Sequence, residues 1–289
     1  MYIKAAECFI AERFSDPQKY QGELKKLTGF HLRRTNKFIM LSLLGAHSCM
    51  KAGAYPADIP VYFATENGNL YDTEIVLAQI YRSHSFPKPI NFINTMSNVA
   101  AFYVAQSLNI TGPNIMVSAK GLSFERALDL ARAGFMAGTS SALVGAVDEA
   151  VFSGAVFERN FGHAPGETKL VEASGWMHLS ADESGAIGEI VEAGSFPDAD
   201  EALEWLSEIG GISGSVASFG IAVGPEERRR WIKLLGAEGE YDYISELGYN
   251  DSITACGIIS FVKKFRRGVL VNINRDKSDR HAVTLVRSY

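Results

Sequence analysis

The chain has 289 residues, of which 47% are hydrophobic and 21% charged, and its formal net charge is −5. This composition is typical of a globular protein with a large core, and the slightly acidic charge argues against nucleic acid as the main partner. Three cysteines, Cys8, Cys49 and Cys256, form no CxxC pair. Neither a disulfide framework nor a zinc site is therefore expected.

The N-terminal segment carries no recognisable targeting signal. Charged residues at Lys4, Glu7 and Glu12 interrupt it, so it lacks the apolar core of a signal peptide. No run of residues approaches the roughly eighteen apolar positions of a membrane span. We therefore expect a cytoplasmic protein, and a reducing compartment fits the odd number of cysteines.

The first half of the chain alternates short β-prone runs with stretches of helical periodicity. Compact apolar runs predict strands at 61–65, 115–118 and 141–145. Apolar residues at helical spacing predict helices at 72–81, 98–108 and 123–137. The strand, glycine turn, helix and strand between 115 and 145 form a βαβ unit, which favours a parallel or mixed sheet covered by helices.

The second half of the chain has the same character. Its composition predicts strands at 186–191, 215–223, 268–272 and 282–286. Helical spacing predicts helices at 200–209 and 253–265. No flexible linker separates the halves, and 195–200 is the nearest thing to a boundary. We therefore expect one unit over 1–289, with an N-terminal half of about 1–195 and a C-terminal half of about 196–289.

One long segment resembles a known family. The run from Gly112 through Ser118-Ala119-Lys120-Gly121-Leu122-Ser123 to Gly145-Ala146-Val147-Asp148-Glu149 resembles the nucleophile region of β-ketoacyl-acyl-carrier-protein synthases. That family has GP, an apolar strand, TACxSG, an amphipathic helix and a strand that ends near GGxDE. Residues 98–101, 254–257 and 281–286 resemble the family's preceding helix, its GAAG helix and its last strand.

The resemblance implies an α/β architecture, the thiolase-like fold. Two similar mixed β-sheets and their helices are arranged in five layers. This chain is shorter than family members, mainly between Gly194 and Ser215, so the fold is expected to be shortened and the site open or filled by side chains. The resemblance also implies a dimer in which the strand before the nucleophile pairs with its partner's strand.

The residues that the family uses for condensation are absent from their expected positions. A condensing enzyme needs a cysteine thiolate at a strand-to-helix turn, two neutral histidines that stabilise an enolate, and a nearby lysine. The match places Gly121 at the cysteine, Phe219 and Asp251 at the histidines, and Glu246 at the lysine. Phenylalanine donates no hydrogen bond, and an ionised aspartate only accepts them and repels an enolate. The sequence therefore predicts no condensing activity for this chain alone.

Condensing-enzyme subunits without the cysteine are chain-length factors, and this chain resembles that class, as in aryl-polyene and type II polyketide pathways. The resemblance implies an active β-ketoacyl synthase as partner in a heterodimer or larger complex, acyl carrier protein as a second partner, and no cofactor. Ile90, Asn91 and Phe92 match the segment that reaches the partner's acyl tunnel, and they are equally well read as ordinary interface or core residues. The expected dimer seam is the strand with Asn114, Ile115, Met116, Val117 and Ser118.

Two other functions stay open. One is an acyltransferase or hydrolase on the same fold that uses Ser123, Ser118 or Cys256, although Ser123 fits better as a hydrogen-bonding residue at a helix start. The other is a homodimeric acyl-binding regulatory protein without a synthase partner.

Several further polar residues have structural interpretations. His163 lacks the surroundings of the family's histidines, and His31, His47 and His84 lack metal-ligand spacing. Asp148 and Glu149 are interpreted as structural acids at a strand end. The basic run 227–230 is interpreted as a solvated helix face, with a patch for an acidic carrier protein as the alternative.

Overall fold

The computed structural model describes residues 1–13, 15–29, 35–51, 53–151, 154–162 and 168–289, so His31 and His163 lie outside the described residues. The strands within these ranges are β1 (Tyr2–Glu12), β2 (Val61–Ala64), β3 (Asn114–Val117), β4 (Ser141–Asp148), β5 (Val171–Ser180), β6 (Gly188–Phe196), β7 (Val216–Phe219), β8 (Gly239–Glu240), β9 (Val269–Arg275) and β10 (His281–Ser288). The helices are α1 (Pro17–Thr28), α2 (Lys37–Met50), α3 (Leu70–Tyr81), α4 (Pro89–Asn94), α5 (Asn98–Ser107), α6 (Ser123–Met136), α7 (Gly154–Phe161), α8 (Ala199–Ile209), α9 (Pro225–Leu235), α10 (Tyr243–Leu247) and α11 (Ile253–Lys264).

The strands form two halves with the same internal pairing. The hydrogen-bonded order is β3-β2-β4-β5-β1-β6-β10-β9-β7-β8. Counted from either end, the first two pairings are parallel and the next two antiparallel. The halves meet where β1 pairs with β6 through Tyr2 and Ile3 alone. The ten strands therefore form one continuous hydrogen-bonded sheet made of two similar mixed halves, and the pairing places β6 in the second half. Each half is called a sheet below.

Helices fill the space between the two sheets and cover both outer faces. The central helices α6 and α11 contact strands of both halves, and residues such as Leu128 and Ile258 belong to the core between them. A second core lies under α1, α2 and α5, where Leu41 is buried. A third lies under α8 and α9, where Trp231 is buried. The order helix, sheet, helix, sheet, helix confirms the predicted five-layer thiolase-like fold.

Close packing of α11 depends on two small residues. A Cβ added at Gly175 on β5 would lie 3.0 Å from Cys256 Sγ, and one at Gly257 would lie 2.5 Å from the ring of Tyr243. Because interiors are close-packed, glycine at these points lets α11 approach both β5 and α10. This packing fixes where the N-terminus of α11 lies, and that terminus forms one wall of the site below.

The basic run 227–230 lies on α9, as its helical interpretation required. Arg228 forms an ion pair with Glu240 at 2.8 Å, and Arg230 forms one with Asp200 at 2.7 Å. Two of the three arginines in this run are therefore paired with acidic residues of the same chain. Among the described residues, no helix is both long enough and apolar enough to cross a bilayer.

Candidate functional site

A cavity of about 320 Å³ opens where the two central helices begin. Gly121, just before α6, and Asp251, just before α11, face it from opposite sides. Glu66 from the loop after β2 also lines it, and so do residues 220–222 and 274–278 from the ends of β7 and β9. The cavity therefore lies at the carboxyl ends of parallel strands and at two helix N-termini, where α/β folds commonly place their ligands.

The turn at the predicted nucleophile position has the expected form but no reactive side chain. It connects β3 to α6, and Lys120 has a φ of 55°. A Cβ added at Gly121 would meet only Glu66 Oε2, at 3.9 Å. Space for a side chain thus exists at this position, and a carboxyl group borders it.

The three alternative nucleophiles do not line the cavity. Ser123 is 2% exposed; its hydroxyl accepts a bond from the Ala119 N–H at 2.9 Å and donates to the Lys120 carbonyl at 2.6 Å. Ser118 donates to the Glu66 carbonyl at 3.3 Å. Cys256 is fully buried inside α11. Ser123 therefore closes the turn, as predicted for a residue at a helix start.

Asp251 lies in the cavity wall, bound by two donors. The Tyr249 hydroxyl donates to it at 2.8 Å, and the Asn67 side-chain amide donates at 2.7 Å. Burial, followed by the nearby charge of Asp148, raises the pKa of Asp251 to about 7. The protonated form of Asp251 is therefore more populated near neutral pH than that of an ordinary aspartate.

Glu66 is the second carboxyl group in the cavity wall, and the sequence did not identify it. Burial, with the charges of Asp251 and Asp148, raises the pKa of Glu66 to about 8. Lys277 and Lys120 oppose this shift. Glu66 and Asp251 thus place two carboxyl groups with raised pKa values in the cavity wall, and a carboxyl group that holds its proton can donate a hydrogen bond.

Two other predicted positions lie away from the cavity. Phe219 ends β7 with 2% exposure and belongs to the outer core, while the next residues, Gly220 and Ile221, line the cavity. Glu246 lies on α10 and forms an ion pair with Lys264. The structure thus brings Gly121 and Asp251 together, and it places Phe219 and Glu246 elsewhere.

Asp148 connects two walls of the site through hydrogen bonds. Its fully buried carboxylate accepts bonds from the Thr65 hydroxyl at 2.8 Å and from the N–H groups of Glu66 and Asn67, each at 2.9 Å. The Ser252 hydroxyl also donates to it. One side chain therefore connects the loop after β2 to the start of α11, in agreement with its structural interpretation.

Asn274, at the end of β9, connects that strand to the start of α6. Its amide donates to the Gly121 carbonyl at 3.0 Å and to Glu125 Oε1 at 2.9 Å. Burial raises the pKa of Glu125 to about 7, and the bond from Asn274 opposes that rise. The sequence offered one sign of this residue, a second asparagine two positions after Asn272 at the end of an apolar run, but not its partners.

The raised carboxyl pKa values predict a pH effect on stability. Glu66 binds its proton more tightly in the folded than in the unfolded chain, so the stability it contributes is present below pH 4.5 and is lost as pH rises towards about 8. In the wild-type chain, the free energy of unfolding should therefore fall between about pH 6 and 8, and Glu66 accounts for up to about 1.4 kcal/mol of that fall per pH unit. We expect Glu66→Gln, which cannot titrate, to lack this contribution. Urea unfolding at several pH values measures this. Glu23→Gln, on exposed α1, is the control, and equal pH slopes for wild type and Glu66→Gln would contradict the assignment.

The described residues contain no group of three or more His, Cys, Asp or Glu side chains placed to hold an ion. His47 instead bonds the Ser107 hydroxyl at 2.9 Å, and His84 is exposed.

Comparisons with known proteins agree with the fold. A scan against protein-family models found no match, and a search of curated sequences found no relative. Solved structures are similar at low sequence identity. The ishigamide ketosynthase/chain length factor matches with a TM-score of 0.70 and 19% identity, over 92% of this chain and 84% of that chain. The AntDE:AntF structure, a type II PKS acyl-carrier protein in complex with its ketosynthase bound to the hexaketide, has a TM-score of 0.75 and 14% identity over 100% and 99%.

A third similar structure contains two named subunits. The ketosynthase ApeO in complex with its chain length factor ApeC, from Xenorhabdus doucetiae, matches with a TM-score of 0.54 and 12% identity over 99% of each chain. At these identities the matches establish the fold, which this chain shares with ketosynthase and chain-length-factor structures.

Proposed function

We propose that this chain, which has the ketosynthase fold, is a non-catalytic chain-length-factor-like subunit that pairs with an active ketosynthase in fatty acid or polyketide biosynthesis. The observation that carries the proposal is the turn before α6. It has the form and the space of a nucleophile turn, but Gly121 has no side chain to accept an acyl group. The wall of the same cavity contains two carboxyl groups with raised pKa values, Glu66 and Asp251, and the described lining residues include neither a cysteine nor a histidine.

An exposed apolar surface supports the pairing. Large hydrophobic side chains are exposed along α3, α4, α5 and β3, and we call this surface the apolar face; it comprises Leu70, Tyr71, Ile75, Leu77, Ile80, Tyr81, Phe92, Ile93, Met96, Phe102 and Ile115. Of α3, only Val76 is buried. Many large apolar side chains exposed on neighbouring elements indicate an interaction site, and β3 is also an edge strand with free backbone groups. The predicted seam residues Asn114 to Ser118 lie within or directly beside this surface.

The finer assignment follows the similar structures. The ApeO–ApeC structure, a ketosynthase in complex with its chain length factor, supports a ketosynthase partner, and the AntDE:AntF structure supports acyl carrier protein as a further partner. The aryl-polyene pathway stays a proposal that rests on the sequence resemblance. We also propose a cytoplasmic location. Acyl transfer or hydrolysis by Ser123, Ser118 or Cys256 has less support, because none of these side chains lines the cavity.

Co-expression with a ketosynthase of the same organism tests the pairing. We expect the two chains to co-purify, and light scattering to give the mass of a complex that contains both. A monodisperse homodimer that does not bind the synthase would favour the homodimeric acyl-binding alternative instead.

Restoring the thiol alone is expected not to restore activity. Gly121→Cys should fold, because its Cβ would make only ordinary contact with Glu66. Its thiol should be alkylated by iodoacetamide, since the cavity is open. It should nevertheless not condense malonyl and acyl carriers, because none of the described residues that line the cavity is a histidine. Condensation by either the variant or the wild-type chain alone would contradict the non-catalytic assignment.

The tunnel-end role of α4 predicts a change in product length. Phe92 is 60% exposed on the apolar face, whereas Ile90 and Asn91 are half-buried. If Phe92 closes the partner's acyl tunnel, Phe92→Ala should lengthen the product of the complex, as measured by mass spectrometry. Leu234→Ala, an equally exposed apolar truncation on α9, is the control. An unchanged product would remove this role from Phe92.

A further inference from the structure

At the apolar face lies a small cavity of about 250 Å³ that contains charged side chains. Leu70, Tyr71 and Glu74 of α3 form one side, and Lys37 and Glu149 form its base. We call it the acidic pocket. It is separate from the cavity at Gly121, and no step of the proposed function uses it.

The base of this pocket contains a buried carboxyl group without hydrogen bonds. The side chain of Glu149 is only 2% exposed, and no donor in the described part of the chain bonds either of its oxygens. The ammonium group of Lys37 lies 3.6 Å from Glu149 Oε1, but it contacts Glu172 more closely. The Tyr20 hydroxyl donates to Glu172 as well. Lys37 and Tyr20 therefore bind mainly to Glu172, and Glu149 has only the longer ion pair with Lys37 among the described residues.

A buried carboxylate without hydrogen-bond donors lowers the stability of the fold unless another group supplies those donors. Burial, opposed by the charge of Lys37 and assisted by the charges of Glu172 and Asp72, raises the pKa of Glu149 to about 8. Natural cores rarely leave both oxygens of a buried carboxyl group without donors. The chain keeps this acid at the edge of its proposed interface, which is where a partner could supply the missing donors.

The charges around the pocket define what fits it. Glu74 and Glu149 line it, and Asp72 and Glu172 lie close enough to affect Glu149. Against these four acids, the cations among the described residues here are Lys37 and Arg13, and Arg13 donates to the carbonyl of the pocket-lining Ala150 at 3.2 Å. Asp72 accepts a bond from the Asn36 side chain at 2.7 Å, so it too is held in place. The excess of acid favours a cation. A guanidinium group suits two free carboxylate oxygens better than an ammonium group, because it donates two parallel bonds.

We propose that the acidic pocket receives an arginine side chain of the partner subunit, whose guanidinium group bonds both oxygens of Glu149. This inference rests on the proposed function, since it names how the proposed partner is recognised. The exposed side chains of Leu70 and Tyr71 around the opening would pack against the aliphatic part of the arginine. A desolvated pair of this kind, surrounded by apolar contacts, has the character of an interface hot spot.

Glu149→Gln tests the pocket in the assembled complex. We expect the dissociation constant for the ketosynthase to rise at least about tenfold, because Gln offers one acceptor where arginine needs two. The same variant should be at least as stable as wild type in urea, since it removes an uncompensated buried acid. A structural role alone would lower stability and leave binding unchanged. Glu23→Gln on exposed α1 is the matched control. Equal affinity of wild type and Glu149→Gln would overturn the proposal.

A second measurement applies if the chain binds no ketosynthase, which would refute the proposed function itself. Methylguanidinium is then titrated into the purified chain, and the carboxyl carbon signals of its glutamates are followed by NMR. Binding that is saturable in wild type and lost in Glu149→Gln would support a guanidinium pocket that serves another partner. Absence of saturable binding would overturn the pocket as well.

Discussion

Asp148→Ala is expected to lower the free energy of unfolding by about 4 kcal/mol or more, a large share of the roughly 5–15 kcal/mol available to a folded protein. The buried carboxylate accepts four bonds, from Thr65, Glu66, Asn67 and Ser252. Removing it leaves these donors without an acceptor, and each buried donor left alone costs about 1–3 kcal/mol. Urea unfolding followed by circular dichroism measures the loss.

Asp148→Asn separates the loss of charge from the loss of volume. Its amide nitrogen would face N–H groups that need an acceptor, so we expect a cost of about 2–3 kcal/mol. Asp198→Asn provides the control, because Asp198 caps α8 at the surface and asparagine caps helices equally well. Losses below about 1 kcal/mol for both Asp148 variants would show that the loop and α11 are held together by other contacts.

Ile115→Lys is expected to weaken binding to the ketosynthase by about a hundredfold or more while leaving the fold intact. Ile115 is exposed on the edge strand β3, so a lysine there is solvated in the free chain. In a strand-paired complex the ammonium group would be buried without a partner, and a cost of about 3 kcal/mol corresponds to a hundredfold.

Leu234→Lys makes the same kind of change on α9, far along the sheet order from β3, and should bind as wild type does. Calorimetric titration of each variant with the synthase gives the affinities, and circular dichroism checks the fold. Equal affinity of Ile115→Lys and wild type would move the interface away from β3.

Elements with a clear local pattern could be predicted from the sequence, and others could not. The helix at 123–137 and the strand at 141–145 appear as α6 and β4 with small changes at their ends. The strand β5 was missed, because Glu172, Ser174 and His178 interrupt its apolar pattern although the strand is buried throughout. Each finds a partner: Glu172 pairs with Lys37, Ser174 accepts from Trp176, and His178 bonds Ser141. Two of these partners are distant in sequence.

Helix α2 was missed for the opposite reason. Most of its residues are buried, so it has no polar face and hence no helical periodicity to detect. The site shows the same limit. Motif spacing located Gly121 and Asp251, but Glu66 and Asn274 enter the site only through contacts that bring β2 and β9 to the two helix starts. The motif match also placed Phe219 at the site, whereas the cavity lining begins one residue later, at Gly220.

The two ends of the strand order differ in length, and this limits how copies can join. At one end β3 presents four residues, whereas at the other end β8 contains only Gly239 and Glu240. Only the first end is long enough for another chain to continue the sheet. A chain with one edge strand of sufficient length can pair with one other chain through that edge. It cannot bind a third chain through a second edge of the same kind. Growth into fibres, which needs two complementary ends, is thereby blocked by the fold itself.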